Sequence, residues 1–157
     1  MGGVYFGLAT RGDMLLVPVN DVPDGGEHDE PAKPGLYALD VRDGHVLWQA
    51  PIDADACKDR GAQCAPGIAA PVTASGDLVL AGAGDGELRI YSARSGETLW
   101  HYDTTQTVVT VGGGSAHGGA IGGGAGPLVF DRMLIVESGY GFGGRMPGNV
   151  MLVFEVQ

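Results

Sequence analysis

"LYALDVRDGHVLWQ" runs from Leu36 to Gln49, and "LRIYSARSGETLWH" runs from Leu88 to His101. The two align without a gap at an offset of 52 residues and share Leu36/Leu88, Arg42/Arg94, Gly44/Gly96, Leu47/Leu99 and Trp48/Trp100. In each, alternating apolar residues lead into a tight glycine turn, and a second run follows that ends on tryptophan. Each is a β-hairpin, and its recurrence makes it a repeat. A third copy of the first strand stands in "VMLVFEV", where Met151, Val153 and Phe154 take the places of Leu88, Ile90 and Tyr91.

Another strand pair precedes each hairpin, in "LATRGDMLLVPV", "VTASGDLVLAGA" and "LVFDRMLIVES". Each repeat therefore reads as four antiparallel strands with a period near that of propeller blades, roughly 40 to 50 residues. The predicted units are Gly3 to Ala50, Ile68 to Asp103 and Ala125 to Gln157, the last without its fourth strand. The competing arrangement is a plain meander in a sandwich. Unrelated hairpins, however, have no reason to place the same large ring after the same glycine turn. Trp48 and Trp100, with Gly44 and Gly96, are read as structural docking residues between neighbouring blades.

The bulk numbers agree with one folded unit. The 157 residues are 44% hydrophobic and 18% charged, enough for one core and short for two. Nineteen acidic residues against nine basic ones give a net charge of -10, which repels a phosphate backbone and excludes nucleic acid as the expected partner. Glycine, at 29 residues, is far above the usual ~7% but shows no three-residue period, so it belongs to turns. No apolar run of 18 residues is present, so no membrane span is expected. "MGGVYFGLATRGDM" lacks the form of a secretion signal. Cys57 and Cys64, in "CKDRGAQC", are either a loop-clipping disulfide or two free thiols. The disulfide is the expectation carried forward, and it implies an oxidising compartment.

Strand alternation sorts the connections onto two faces. "TRGD", "ASGD", "VFD", "VRDG" and "ARSG" are minimal turns on one face. On the other lie "NDVPDGGEHDEPAKPG", the cysteine loop from Pro51 to Gly67, "GYGFGGRMPGN" and the glycine-rich stretch around His117. Long loops gathered on one side of a rigid scaffold point to function. The glycine-rich stretch fails as a dinucleotide motif, because no helix follows it, and as a Walker loop, because no Gly-Lys-Ser/Thr closes it. It is either a backbone floor for a planar ligand at the mouth of a central channel or a set of corners.

Taken together, these residues resemble the tryptophan-docking repeats of pyrroloquinoline quinone propellers. "DGELRIYSARSGETLWHYDT", "AHGGAIGGGAGPLVFDRMLIVESGYG" and "MPGNVMLVFEV" resemble more narrowly the C-terminal portion of polyvinyl-alcohol-dehydrogenase-like quinoproteins. The paired cysteines before "APVTASGDLVLAGAGDG", and "GGVYFGLA" with Phe6, fit the same group. The resemblance implies an all-β, quinoprotein-type β-propeller of about eight antiparallel four-stranded blades, of which this chain holds about three. It also implies alcohol oxidation by hydride transfer to pyrroloquinoline quinone, held with calcium at the channel mouth of the complete propeller, with these blades alone inactive. The implied partners are the remaining blades, a c-type cytochrome and a small or polymeric alcohol, in a periplasmic or secreted protein whose signal lies upstream.

Candidate cofactor-binding residues are His117, as hydrogen-bond donor or proton carrier, Gly118 and Gly119, Arg145, as a cation facing a reduced quinone oxygen, and Asn149. Each also has a plain reading: a satisfied loop histidine, corner glycines, a surface arginine and a turn asparagine. Asp21, Asp24, Glu27, Asp29 and Glu30 form an acidic loop in no known calcium spacing, so it is read as solvated. Asp85 reads as a turn residue. No catalytic base and no metal ligand is assigned. The alternative function is a non-catalytic propeller of the same repeat class that binds protein partners, and a third is a self-associating piece that closes a ring by symmetry.

Overall fold

The computed structural model describes residues 2–22 and 26–155. Asp24 of the acidic loop lies outside the described residues, as do Val156 and Gln157 at the end of the third repeat. The chain is all-β, with two single-turn 3-10 helices at Ala54–Cys57 and Phe142–Gly144.

Three antiparallel sheets follow one another in chain order. The first holds β1 (Ala9–Arg11), β2 (Met14–Val19), β3 (Gly35–Asp40) and β4 (Val46–Pro51) as neighbours in sequence order. The second repeats the order with β5 (Thr73–Ser75), β6 (Leu78–Gly82), β7 (Glu87–Ser92) and β8 (Thr98–Asp103). Between the second and third sheets, β9 (Thr107–Val109) and β10 (Ser115–His117) pair as a small hairpin within the glycine-rich stretch. The third sheet holds β11 (Leu128–Phe130), β12 (Met133–Ser138) and β13 (Val150–Glu155). Both four-stranded sheets shift register at the same place, between Ala38 and Leu39 and between Ile90 and Tyr91. A shared bulge shows that the repeat extends to backbone detail.

The short first strands β1, β5 and β11 touch across successive sheets, so the sheets fan out from a common inner edge as propeller blades do. Arg11 clasps the next sheet at its first turn, its Nε donating to the Gly76 carbonyl at 2.8 Å and its guanidinium pairing with Asp77. Thr73 donates in turn to the Pro127 carbonyl of the third sheet.

Burial follows from this stacking. The second sheet is covered on both faces, so β6 is buried from Val79 to Gly82, and its sequence is continuously apolar. Leu16, Leu36, Ala38 and Trp48 pack from the first sheet onto Val79, Ala81, Tyr91 and Ala93 of the second. Leu88 and Ile121 meet Val136 and the partly buried Leu152 and Phe154 of the third. In β13, alternation turns Leu152 and Phe154 inward and leaves Met151 and Val153 exposed.

The two tryptophans are not placed alike. Trp48 is 9% exposed and lies on Gly96 of the second sheet, with its Nε1 donating to the Ala93 carbonyl at 3.0 Å. Trp100 is 37% exposed, stacks on Tyr102 and meets the third sheet edge-on through Phe154, with ring centroids 5.4 Å apart. The third sheet has no glycine turn against Trp100 among the described residues, which explains the difference. Gly44 is open: a Cβ added there would meet nothing within 4 Å.

Candidate functional site

The ends of the second strands converge. Asn20 follows β2, Gly84 lies just beyond β6 and Tyr140 just beyond β12, and all three line one cavity of about 460 Å³. The repeat brings the equivalent positions Asn20 and Gly84 to the long-loop face, with Tyr140 one residue beyond the matching Gly139. The connections between blades add Ala69 and the Ala120–Gly122 segment, and an isolated parallel bridge joins Ala69 to Gly122. Ile68 donates to the Val19 carbonyl at 3.2 Å and Ile121 to the Ala83 carbonyl at 3.0 Å, so each connection is tied to the preceding blade.

The lining is aromatic at its rim, with Tyr5, Phe6, Tyr140 and Phe142, and it contains one cation, Arg145, which is half-buried. Asn20 is 3% exposed, and its Oδ1 has no hydrogen-bond partner. A buried acceptor left unpaired costs about 1–3 kcal/mol, so its retention points to a donor supplied from outside the described residues. Sequence reasoning passed over Asn20. The available signal was its place just past a second strand, equivalent to Gly84 and to Gly139 beside Tyr140.

The structure separates the candidates that the sequence suggested. Arg145 faces the cavity, whereas His117, Gly118, Gly119 and Asn149 lie outside its lining. His117 and Asn149 join each other: the Asn149 amide donates to the His117 carbonyl at 2.9 Å, and the His117 amide donates to the Asn149 Oδ1 at 3.4 Å. Gly118 and Gly119 are pressed by protein. A Cβ on Gly118 would lie 2.2 Å from the Thr104 carbonyl oxygen, and one on Gly119 would lie 2.3 Å from that of Met146. The flat group against the glycine floor is the chain's own Tyr140 ring, which would meet a Cβ on Gly122 or on Gly123 at 2.8 Å. Ser138 completes the lock. It shares a 2.6 Å hydrogen bond with Thr104, while its Oγ and the Gly119 amide and carbonyl lie 3.0 Å apart.

Charge beside the cavity is already paired. Asp85 is fully buried and takes both guanidinium nitrogens of Arg89 and the Glu87 amide, which pins the turn between β6 and β7. Arg60 reaches the same turn from the cysteine loop, and Cys57 and Cys64 are joined in a disulfide. Partial burial pushes the Asp103 carboxyl up, but the Thr105 hydroxyl and amide and the Arg60 guanidinium outweigh it, leaving it below the usual range. Burial pushes the Tyr91 phenol up to about 12, so it stays neutral and structural.

No carboxylate lines the cavity among the described residues. One neutral oxygen, one guanidinium and an aromatic rim suit a flat, polar, hydrogen-bonding heterocycle. They do not by themselves make a calcium site, which takes six to eight oxygens. Asp40, Asp43 and His45 form a grouping of metal-binding type, but it sits in the turn between β3 and β4, with Asp40 already paired to Arg42.

The family model described as outer membrane protein assembly factor BamB, PQQ_2, matches residues 8–141. The chain is 36% identical over 169 residues to a polyvinylalcohol dehydrogenase from Pseudomonas sp., covering 99% of this chain and 25% of that protein. A polyvinylalcohol dehydrogenase from Sphingopyxis sp. is 32% identical, with 99% and 25% covered. The chain thus spans about a quarter of the length of these curated relatives. Among solved structures, the quinohemoprotein alcohol dehydrogenase ADHIIG from Pseudomonas putida HK5 shares the fold with a TM-score of 0.60 at 22% identity, covering 87% of this chain and 17% of that one. Repeat, fanned sheets and family match agree: this chain belongs to the PQQ_2 family of β-propellers and, within it, resembles the PQQ-dependent dehydrogenases.

Proposed function

We propose that this chain forms one wall of the cofactor mouth in a pyrroloquinoline quinone-dependent alcohol dehydrogenase. Its repeats at 3–50, 68–103 and 125–157 would serve as about three of some eight blades. The observation that carries this reading is Asn20, a buried acceptor without a partner in an aromatic-rimmed cavity that also holds Arg145.

Bound quinone supplies a two-electron acceptor for the hydride of an alcohol carbon. In this reading Asn20 orients the heterocycle through its amide. Arg145 stabilises negative charge that develops on an oxygen facing it. Tyr5, Phe6, Tyr140 and Phe142 exclude water and offer flat apolar surface to the hydrocarbon part of a small or polymeric alcohol. His117, Gly118, Gly119 and Asn149 act at one remove by holding the loop that carries Ala120–Gly122. The general base and the calcium ligands belong to the remaining blades, electrons pass to a c-type cytochrome, and the protein works in the periplasm or outside the cell.

Titration of the full-length protein that carries this chain with pyrroloquinoline quinone, with and without calcium, followed by quinone absorbance and tryptophan fluorescence, tests this. Saturable binding that weakens at least tenfold in Asn20→Leu and in Arg145→Gln is expected. Absence of binding, or equal binding by wild type and both variants, would remove the reading. The family description as an assembly factor favours the second reading, a protein-binding scaffold, and that outcome would leave it standing.

A further inference from the structure

The cysteine loop is tied to the cavity wall by one side chain. Lys58, Asp59, Gly61, Ala62 and Gln63 are exposed, yet the Arg60 side chain between them is only 26% exposed. Its Nη1 donates to the Asp85 carbonyl at 2.9 Å and to the Asp103 Oδ1 at 3.0 Å, and its Nη2 to the Glu87 Oε1 at 2.8 Å. These acceptors span the turn from β6 to β7 and the end of β8. The same turn contains Gly84, which lines the cavity.

A second tether leaves the loop at Cys64. The Ala65 amide donates to the Gly84 carbonyl at 3.3 Å, and the Gly84 amide donates to the Gly67 carbonyl at 2.9 Å. Gly67 lies so close to Asn20 that a Cβ there would stand 2.1 Å from the Asn20 Oδ1. Three residues thus lead from the disulfide to the unpartnered acceptor.

We propose that Arg60 is a positioning residue for this wall and that the Cys57–Cys64 disulfide is a redox lock that keeps it in place. The loop's own backbone bonds are local turns, from Ala56 to Asp53, Lys58 to Asp55, Arg60 to Cys57 and Cys64 to Gly61, and none of them spans the loop. Without the cross-link, Arg60 must therefore order a long side chain and a loosely closed loop together. Both cysteines are half-buried, within reach of an attacking thiolate. A thiolate of a dithiol attacks one sulfur, and the S–S bond breaks to give a mixed disulfide. The second thiol then displaces the first cysteine. The protein gains two electrons and two protons as two thiols, and the dithiol leaves as its own disulfide. The released loop lets go of Glu87 and Asp103, and the turn that carries Gly84 loosens.

The lock concerns the wall itself; only its effect on quinone rests on the proposed function. Hydrogen exchange of the wild-type chain with and without dithiothreitol tests it. Reduction is expected to speed exchange at the Ala65, Gly84 and Ile121 amides at least tenfold while β3 stays unchanged. Arg60→Gln in the oxidised protein reproduces that pattern, Arg60→Lys restores part of the protection, and reducing Arg60→Gln adds less than twofold more. A Cys57→Ala/Cys64→Ala variant reports the unlocked state without reductant. Unchanged exchange at Ala65 and Gly84, additive effects of reduction and Arg60→Gln, or a uniform rise across all sheets would each overturn the lock. Looser amides with unaltered quinone affinity would support the lock and count against the cavity as the quinone's seat.

Discussion

The indole of Trp48 lies directly on Gly96, so that a Cβ added to Gly96 would stand 2.5 Å from the ring's Cε3. Gly44 holds the same place in the first repeat, with φ of +77° against +73° at Gly96, and faces open space. Both positions penalise a side chain through the left-handed backbone, by about 1 kcal/mol. Only Gly96 adds a collision with a buried ring. Gly44→Ala should therefore lower stability by about 1 kcal/mol and Gly96→Ala by about 3 kcal/mol or more, read by urea denaturation. Equal losses would show that the turns, and not the docking, set the cost.

The tryptophans themselves should separate in the same way. Removing buried Trp48 forfeits its packing and the bond to Ala93, at about 3–5 kcal/mol. Trp100→Ala exposes less and should cost about 1–2 kcal/mol. Thermal or chemical unfolding of the two variants checks the order.

At the cavity, stability and binding should oppose each other. Asn20→Leu removes an unpartnered buried oxygen, so the free chain should hold its stability or gain up to about 1 kcal/mol, while quinone binding falls. A loss of stability greater than about 2 kcal/mol in the free chain would mean that Asn20 already has its partner within the fold.

Glycines of one stretch should respond unequally. Gly119→Ala drives a Cβ into the Met146 and Pro147 carbonyls, whereas Gly124 is exposed and a Cβ there meets nothing within 4 Å. Gly119→Ala should destabilise by about 3 kcal/mol or more and Gly124→Ala by no more than about 0.5 kcal/mol. Circular dichroism melts of both variants distinguish them.

Acid should loosen the second blade at both ends, beside the cavity at Asp103 and on the short-turn face at Asp77. Asp103, held low by Thr105 and Arg60, and Asp77, held low by Arg94 and Arg11, have folded-state values below their unfolded ones. Their contribution is present above the ordinary carboxylate value of about 4 and is lost as pH falls through the folded values. The melting midpoint should therefore drop below about pH 4. Arg60→Gln should start lower at neutral pH and fall less steeply, since its Asp103 is less depressed.

The blades were legible because the matched hairpins record a contact. A ring that must land on a neighbour's turn leaves the same spacing of Gly and Trp in each repeat, as Trp48 and Gly96 show. The sidedness of the loops followed from strand alternation alone, and it led to the face where Asn20, Gly84 and Tyr140 meet. The roles of single residues on that face did not follow. His117 was prominent as the one histidine among the glycines, yet its backbone ends bound to the amide and side-chain oxygen of Asn149, 32 residues away. The short hairpin of β9 and β10 was hidden because neither strand is long enough to set up a period of its own.

Composition, alternation and the 52-residue offset by themselves determined an all-β chain of repeated blades with its long loops on one side. Those properties are local or periodic, and each is written in neighbouring residues. Only the tertiary structure decided that Tyr140 covers the glycine floor, that Asn20 is left without a partner and that Arg60 crosses to the next blade. Burial and pairing depend on what segments distant in the chain bring to the same place, and no single stretch of sequence carries that information.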